Sequence, residues 1–186
     1  LAVSKQNNSS GDYYVYKIPL PSGAHNAFAD FPRLGQDRDK IYIASNKIVD
    51  GKFQYEEWLV LPKSKLYEGR GAFDYGFLYD TRFDGIATSS SQPANVWNPA
   101  DQMRGVFVGS KALKAGGGLW CKDASEKCNE LFLWHVVDGS TKMPWPLAGA
   151  VVLRTAHIYS IPPDASQPEP KWPIWTGQTD IVGQVT

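Results

Sequence analysis

The chain is poor in the residue types that most directly announce chemistry. Of 186 residues, two are cysteine, two methionine and three histidine. His25, His135 and His157 stand isolated, with no H-E-x-x-H motif and no cysteine at ligand spacing, which excludes a zinc centre of familiar pattern. There is no G-x-S-x-G nucleophile elbow, and Gly116-Gly117-Gly118 lacks the Lys-Ser/Thr that completes a phosphate loop. Nineteen Lys and Arg balance nineteen Asp and Glu. A balanced chain lacks the long-range field on which binding to nucleic acid or an anionic membrane depends. No stretch approaches the roughly 20 apolar residues of a membrane span; the longest apolar run is Leu147 to Leu153. Helical periodicity is nearly absent as well.

What the chain does have is aromatic side chains, 7 Trp, 9 Tyr and 8 Phe, with 17 Gly and 13 Pro scattered between them. Short β-branched or aromatic segments recur at residues 13–18, 40–45, 57–61, 105–109, 130–137, 150–155 and 181–185, each bounded by turn residues. Many short strands at intervals predict an all-β domain: a sandwich, a barrel or a propeller. An internal repeat favours the last. Ser91-Gln92-Pro93 recurs as Ser166-Gln167-Pro168, so that Gln92 and Gln167 lie 75 residues apart. A weaker copy surrounds Pro32, 61 residues before Pro93. Units of this length suit four-stranded propeller blades, with aromatic side chains filling the wedges between sheets. The expected fold is a partial β-propeller: half a blade over residues 1–30, blades over 31–90 and 91–160, and the start of another over 161–186. A sandwich whose proline turns resemble one another is the competing reading.

Cys121 and Cys128 flank a polar segment at a spacing that suits a disulfide across a loop tip, and they form no C-x-x-C redox motif. A pair of free thiols in a reducing compartment is the alternative. Asn7-Asn8-Ser9-Ser10 holds two overlapping N-x-S acceptors. Together these signals point to an exported, extracellular or cell-surface protein. The chain starts without Met or a signal peptide, and both ends carry strand-like residues. The expectation is therefore a piece of a longer polypeptide, with the remainder or another chain completing the ring.

Several of these segments also carry a resemblance. Leu1-Ala-Val-Ser4, the tyrosine-rich residues 13–18, Phe28-Ala-Asp-Phe-Pro-Arg-Leu-Gly-Gln-Asp37 and Ile41-Tyr-Ile-Ala-Ser-Asn46 are similar to blades of an exported, bacterial-type β-propeller family. So are Ser91-Gln-Pro-Ala94, the L-x-L-W pattern at 131–134, residues 161–168 and Thr176-Gly-Gln-Thr-Asp180. The chain departs from that family where Ile181 follows Asp180, and it lacks the S-x-D-x-G-x-T-W box of sialidases. The resemblance implies a propeller and export; it implies no reaction.

The candidate chemistry is correspondingly sparse. Asp30, Asp37 and Glu57 are the carboxylates that a sialidase-like or arabinanase-like glycoside hydrolase would aim into its channel. Asp in a turn, however, ordinarily bonds its own backbone. Asp37-Arg38-Asp39 offers alternate oxygen ligands for a structural calcium ion, although the EF-hand glycine and distal glutamate are missing; no other cofactor is expected. Trp97, Trp120 and Trp172, all beside predicted loops, suit sugar stacking or an interface, or else packing between blades. The reading is a non-catalytic exported module that contacts a glycan or a surface protein, with the hydrolase as its competitor.

Overall fold

The computed structural model describes residues 1–20, 26–98, 105–110, 113–118, 120–121, 128–139 and 145–157. It is an all-β molecule of several antiparallel sheets, two of them four-stranded. β1 (Ala2–Ser4) and β2 (Tyr13–Val15) form a small ribbon. The first large sheet is an up-and-down meander of β3 (Ala27–Gln36), β4 (Lys40–Val49), β5 (Lys52–Pro62) and β6 (Gly76–Tyr79), with the single-turn helix α1 (Lys63–Tyr67) between the last two. A minimal hairpin, β7 (Arg82–Phe83) and β8 (Ile86–Ala87), follows. The second meander is β9 (Ser89–Pro93), β10 (Val106–Ser110), β11 (Glu130–Gly139) and β12 (Trp145–Arg154).

Local chemistry sets the turns. Asp50-Gly51 joins β4 to β5, and Asp84-Gly85 joins β7 to β8. Both residues of each pair have positive φ (48° and 72°; 49° and 78°). That is the turn whose twist matches paired strands, and glycine adopts it without strain. The β3–β4 turn is built differently. Asp37 Oδ1 accepts the backbone N–H of Asp39 and of Lys40, both at 2.9 Å, and Oδ2 accepts the Tyr42 hydroxyl at 2.5 Å.

The two proline-containing repeat segments, which a sandwich reading would make turns, are strands. Residues 30–37 belong mostly to β3, and Ser91–Pro93 lie within β9. Both strands lie at the edge of their sheets, where a proline removes no central ladder bond. In β3 the pairing with β4 shifts register between Asp30 and Arg33, a bulge that accommodates Pro32 and holds Phe31 at φ 51°.

The two meanders pack face to face. Tyr42, Ala44, Trp58 and Val60 of the first bury against Phe107, Phe132, Trp134 and Val136 of the second. Strand alternation aims each set inward. Trp58 stacks on Phe107 with centroids 4.2 Å apart and planes 11° apart, and meets Trp134 edge to face at 5.4 Å. The opposite face of the first sheet buries Ile41, Leu59, Leu61 and Leu66 beneath Leu1, Val3, Tyr16 and Phe73. The first strands of the meanders meet, with Gln36 N–H donating to Ala94 O and a parallel bridge from Gln36 to Asn95. Gly35 permits that approach, because a Cβ there would lie 2.5 Å from Pro93. β6 likewise touches β12. Among the described residues the strands form stacked layers and no closed ring. The segment 181–185 lies outside the described residues.

Candidate functional site

Three places gather polar or aromatic side chains in a way that the packing of the layers does not by itself require. The first is buried between the sheets. Period-2 alternation along β5 puts Glu56 on the same face as Trp58 and Val60, so a carboxylate enters the core. It is received there by β9. Glu56 Oε1 accepts the Ser91 N–H at 2.5 Å, and Oε2 accepts the Ser91 hydroxyl at 2.6 Å and the Thr88 hydroxyl at 3.3 Å. Beside it, Asn46 of β4 and Ser90 exchange two bonds: Ser90 N–H to Asn46 Oδ1 at 2.9 Å, and Asn46 Nδ2 to Ser90 Oγ at 3.0 Å. That exchange holds Ser90 at φ 58°. Burial pushes the Glu56 carboxyl above the usual carboxylate range, opposed by the Ser91 bonds and by the Arg33 charge. Burial likewise lowers Arg33, to about 10, against the pull of Glu56 and Asp30. The cluster is closed to solvent and works as a clamp between the sheets.

The second place lies on the other face of the first sheet. Lys47 and Glu57 are both buried, with Nζ 3.8 Å from Oε2. Neither Glu57 oxygen has a hydrogen-bond partner. Burial raises the Glu57 carboxyl and the Lys47 charge opposes that rise. Glu56 and Glu57 are thus sequence neighbours on opposite faces, each committed to a different partner.

The third place is open to solvent. Residues 14–19 on one side and residues 69–73 with Tyr75 on the other bound a cleft of about 470 Å³. Its walls are aromatic: Tyr14, Tyr16, Phe73 and Tyr75. Tyr16 meets Phe73 edge to face at 5.7 Å. Their hydroxyls are engaged in holding the walls, Tyr16 donating to Leu66 O at 2.6 Å and Tyr75 to Pro19 O at 3.0 Å. Gly69, at φ 69°, makes room for the Tyr14 ring, which a Cβ would strike. The cleft's lining includes the cations Lys17 and Arg70 and no carboxylate. Volume, aromatic walls and a few charged groups are the ordinary equipment of a small-ligand site.

Apart from Glu57, the residues singled out from sequence fall elsewhere. Asp30 sits at the β3 bulge and accepts the Phe31 N–H at 2.9 Å. Asp37 organises its own turn, and its carbonyl also receives the Lys63 ammonium. Asp39 is exposed beside Arg38, at 3.6 Å. Among the described residues no group of three His, Cys, Asp or Glu could hold a metal ion. Trp97 is 78% exposed after β9, and Trp120 lies beneath the Lys114 ammonium at 4.3 Å; neither lines the cleft. Trp172 lies outside the described residues. Cys121 and Cys128 form a disulfide with both side chains buried. No described helix is long and apolar enough to cross a membrane.

Sequence reasoning did not reach the cleft, because its two walls are separated by about fifty residues of chain and neither is periodic. Nor did it bury Glu56, although the alternation of Glu56, Trp58 and Val60 carries that signal. No protein-family model matches the chain, and neither a curated protein nor a solved structure matches it.

Proposed function

We propose that the chain is a non-catalytic, exported or cell-surface binding module that takes a glycan in the cleft between residues 14–19 and 69–75. The observation that carries this reading is the composition of the cleft, aromatic faces with cations and no carboxylate. Glycoside hydrolysis asks for two carboxyl groups facing one sugar. Here Asp37 is bound within its turn and Glu57 faces Lys47, which favours binding over cleavage. The Cys121–Cys128 disulfide supports an oxidising compartment. An oligosaccharide array probed with the whole chain tests the reading. Binding should appear and should weaken about tenfold in Tyr14→Ala, which removes a stacking face. No binding, or binding that Tyr14→Ala leaves intact, overturns it.

The finer reading of the fold is that the two meanders are adjacent propeller blades. Two features support it: each meander runs in sequence order, and first strand lies against first strand, parallel where they touch. Phe28 and Leu34 of the edge strand β3 stand half exposed, which suits a further chain completing the ring. A mass measurement in solution that finds only a stable 20.6 kDa monomer refutes that completion.

A further inference from the structure

We infer that the ligand of the aromatic cleft is an acidic oligosaccharide, one whose sugar rings carry carboxylates. This rests on the glycan reading above and adds the charge of the ligand. The chain as a whole is neutral, yet this surface is not. Lys17 and Arg70 line the cleft. Lys17 is exposed and has no ion partner among the described residues. Arg70 shares the single carboxylate of Glu68 with Lys65, which lies 3.6 Å from it. Lys5 stands over the Tyr14 ring at 5.2 Å, and its partner Asp12 is largely exposed to water at 3.7 Å. The lining itself therefore holds two cations and no carboxylate; around it Lys5 and Lys65 stand with Asp12, Glu68 and the exposed Asp74.

The walls say what carries the complementary charge. With the Tyr16 and Tyr75 hydroxyls committed to carbonyls, these rings offer a ligand their faces and edges. A ring face is electron-rich and attracts the C–H groups that a sugar ring presents. A guanidinium and an ammonium at the same opening match carboxylates on that sugar, Arg70 by a planar fork and Lys17 as a point charge.

The experiment compares tetragalacturonate with its fully methyl-esterified form, which keeps the rings and loses the charge, by calorimetric titration of the whole chain at low and moderate salt. An acidic hexapeptide of glutamate serves as the third probe. Tetragalacturonate should bind at least about tenfold more tightly than the ester. Its affinity should fall as salt rises. The double variant Lys17→Ala, Arg70→Ala should abolish the preference, so that acid and ester bind it with equal affinity. Both positions are exposed, and an unchanged thermal midpoint confirms that the fold persists. Equal affinity for acid and ester overturns the acidic assignment and leaves the glycan reading standing. Failure of both saccharides to bind overturns both. Hexapeptide binding as tight as that of tetragalacturonate overturns the saccharide part.

Discussion

Replacing Ser91 with alanine removes one hydroxyl, and the surroundings of Glu56 set what that loss costs and how the cost varies with pH. The hydroxyl donates to Oε2 at 2.6 Å, while the Ser91 N–H, which the substitution leaves in place, donates to Oε1. A hydrogen bond to a charged group contributes about 1.5–3 kcal/mol, so a loss of about 2 kcal/mol is expected where Glu56 is ionised. Burial already holds the Glu56 carboxyl above its ordinary value, and the Ser91 bonds oppose that rise. A raised value means that the folded state binds the proton more tightly than the unfolded state does. The stability Glu56 contributes is then fully present below about pH 4.3 and is lost as pH rises through the folded value. Without the hydroxyl the folded value rises further, so the variant goes on losing stability over a wider range of pH.

The measurement is equilibrium unfolding in urea at pH 4.5 and pH 8, with the disulfide intact. For a slope of about 2 kcal/mol/M, the midpoint should fall by about 1 M at pH 8 and by about half of that or less at pH 4.5. The same loss at both values would show that the contribution of the hydroxyl is not tied to ionisation of Glu56 over this range. A loss under about 0.5 kcal/mol at pH 8 would show that it is not seated against the carboxylate at all. Either result refutes the reasoning.

Other expectations follow from the same geometry. Gly35→Ala should destabilise by about 1–3 kcal/mol in urea unfolding, because the added methyl meets Pro93 where the first strands touch. Glu57→Gln should cost about 3–5 kcal/mol by leaving Lys47 buried without its counter-charge, whereas the double change Lys47→Met, Glu57→Leu should recover most of that loss. Reduction of Cys121–Cys128 should lower stability by about 2–3 kcal/mol, read as a fall in the thermal midpoint with and without reductant. Calcium should leave the thermal midpoint unchanged, since the Asp37 oxygens already accept from Asp39, Lys40 and Tyr42.

The long strands were legible because their cause is local. Lys40–Val49 and Glu130–Gly139 are rich in β-branched and aromatic residues; the first is a strand buried on both faces, and in the second Phe132, Trp134 and Val136 alternate into the core. Proline misled the reading where context overrode it: Pro32 and Pro93 signal turns, yet an edge strand tolerates both. The Asp50-Gly51 and Asp84-Gly85 pairs are strong hairpin signals, and they fixed two turns that a search for strand segments passes over. Asp37 shows the reverse case. Its residue type fits a ligand or a catalyst equally well, and only the placement of three donors around it reveals a turn. The aromatic cleft could not be read at all, because it exists only once the chain around Tyr14 is laid beside the chain around Phe73.

One consequence of the Trp58–Trp134 contact is optical. The two indoles belong to different sheets and meet edge to face at 5.4 Å, close enough for their electronic transitions to couple. Such coupling gives a paired positive and negative band in circular dichroism, and it vanishes when the rings separate even if every strand survives. The molecule thus carries a built-in reporter of whether its two sheets are docked. A variant or a ligand that parts the layers without unfolding them would announce itself in that signal first.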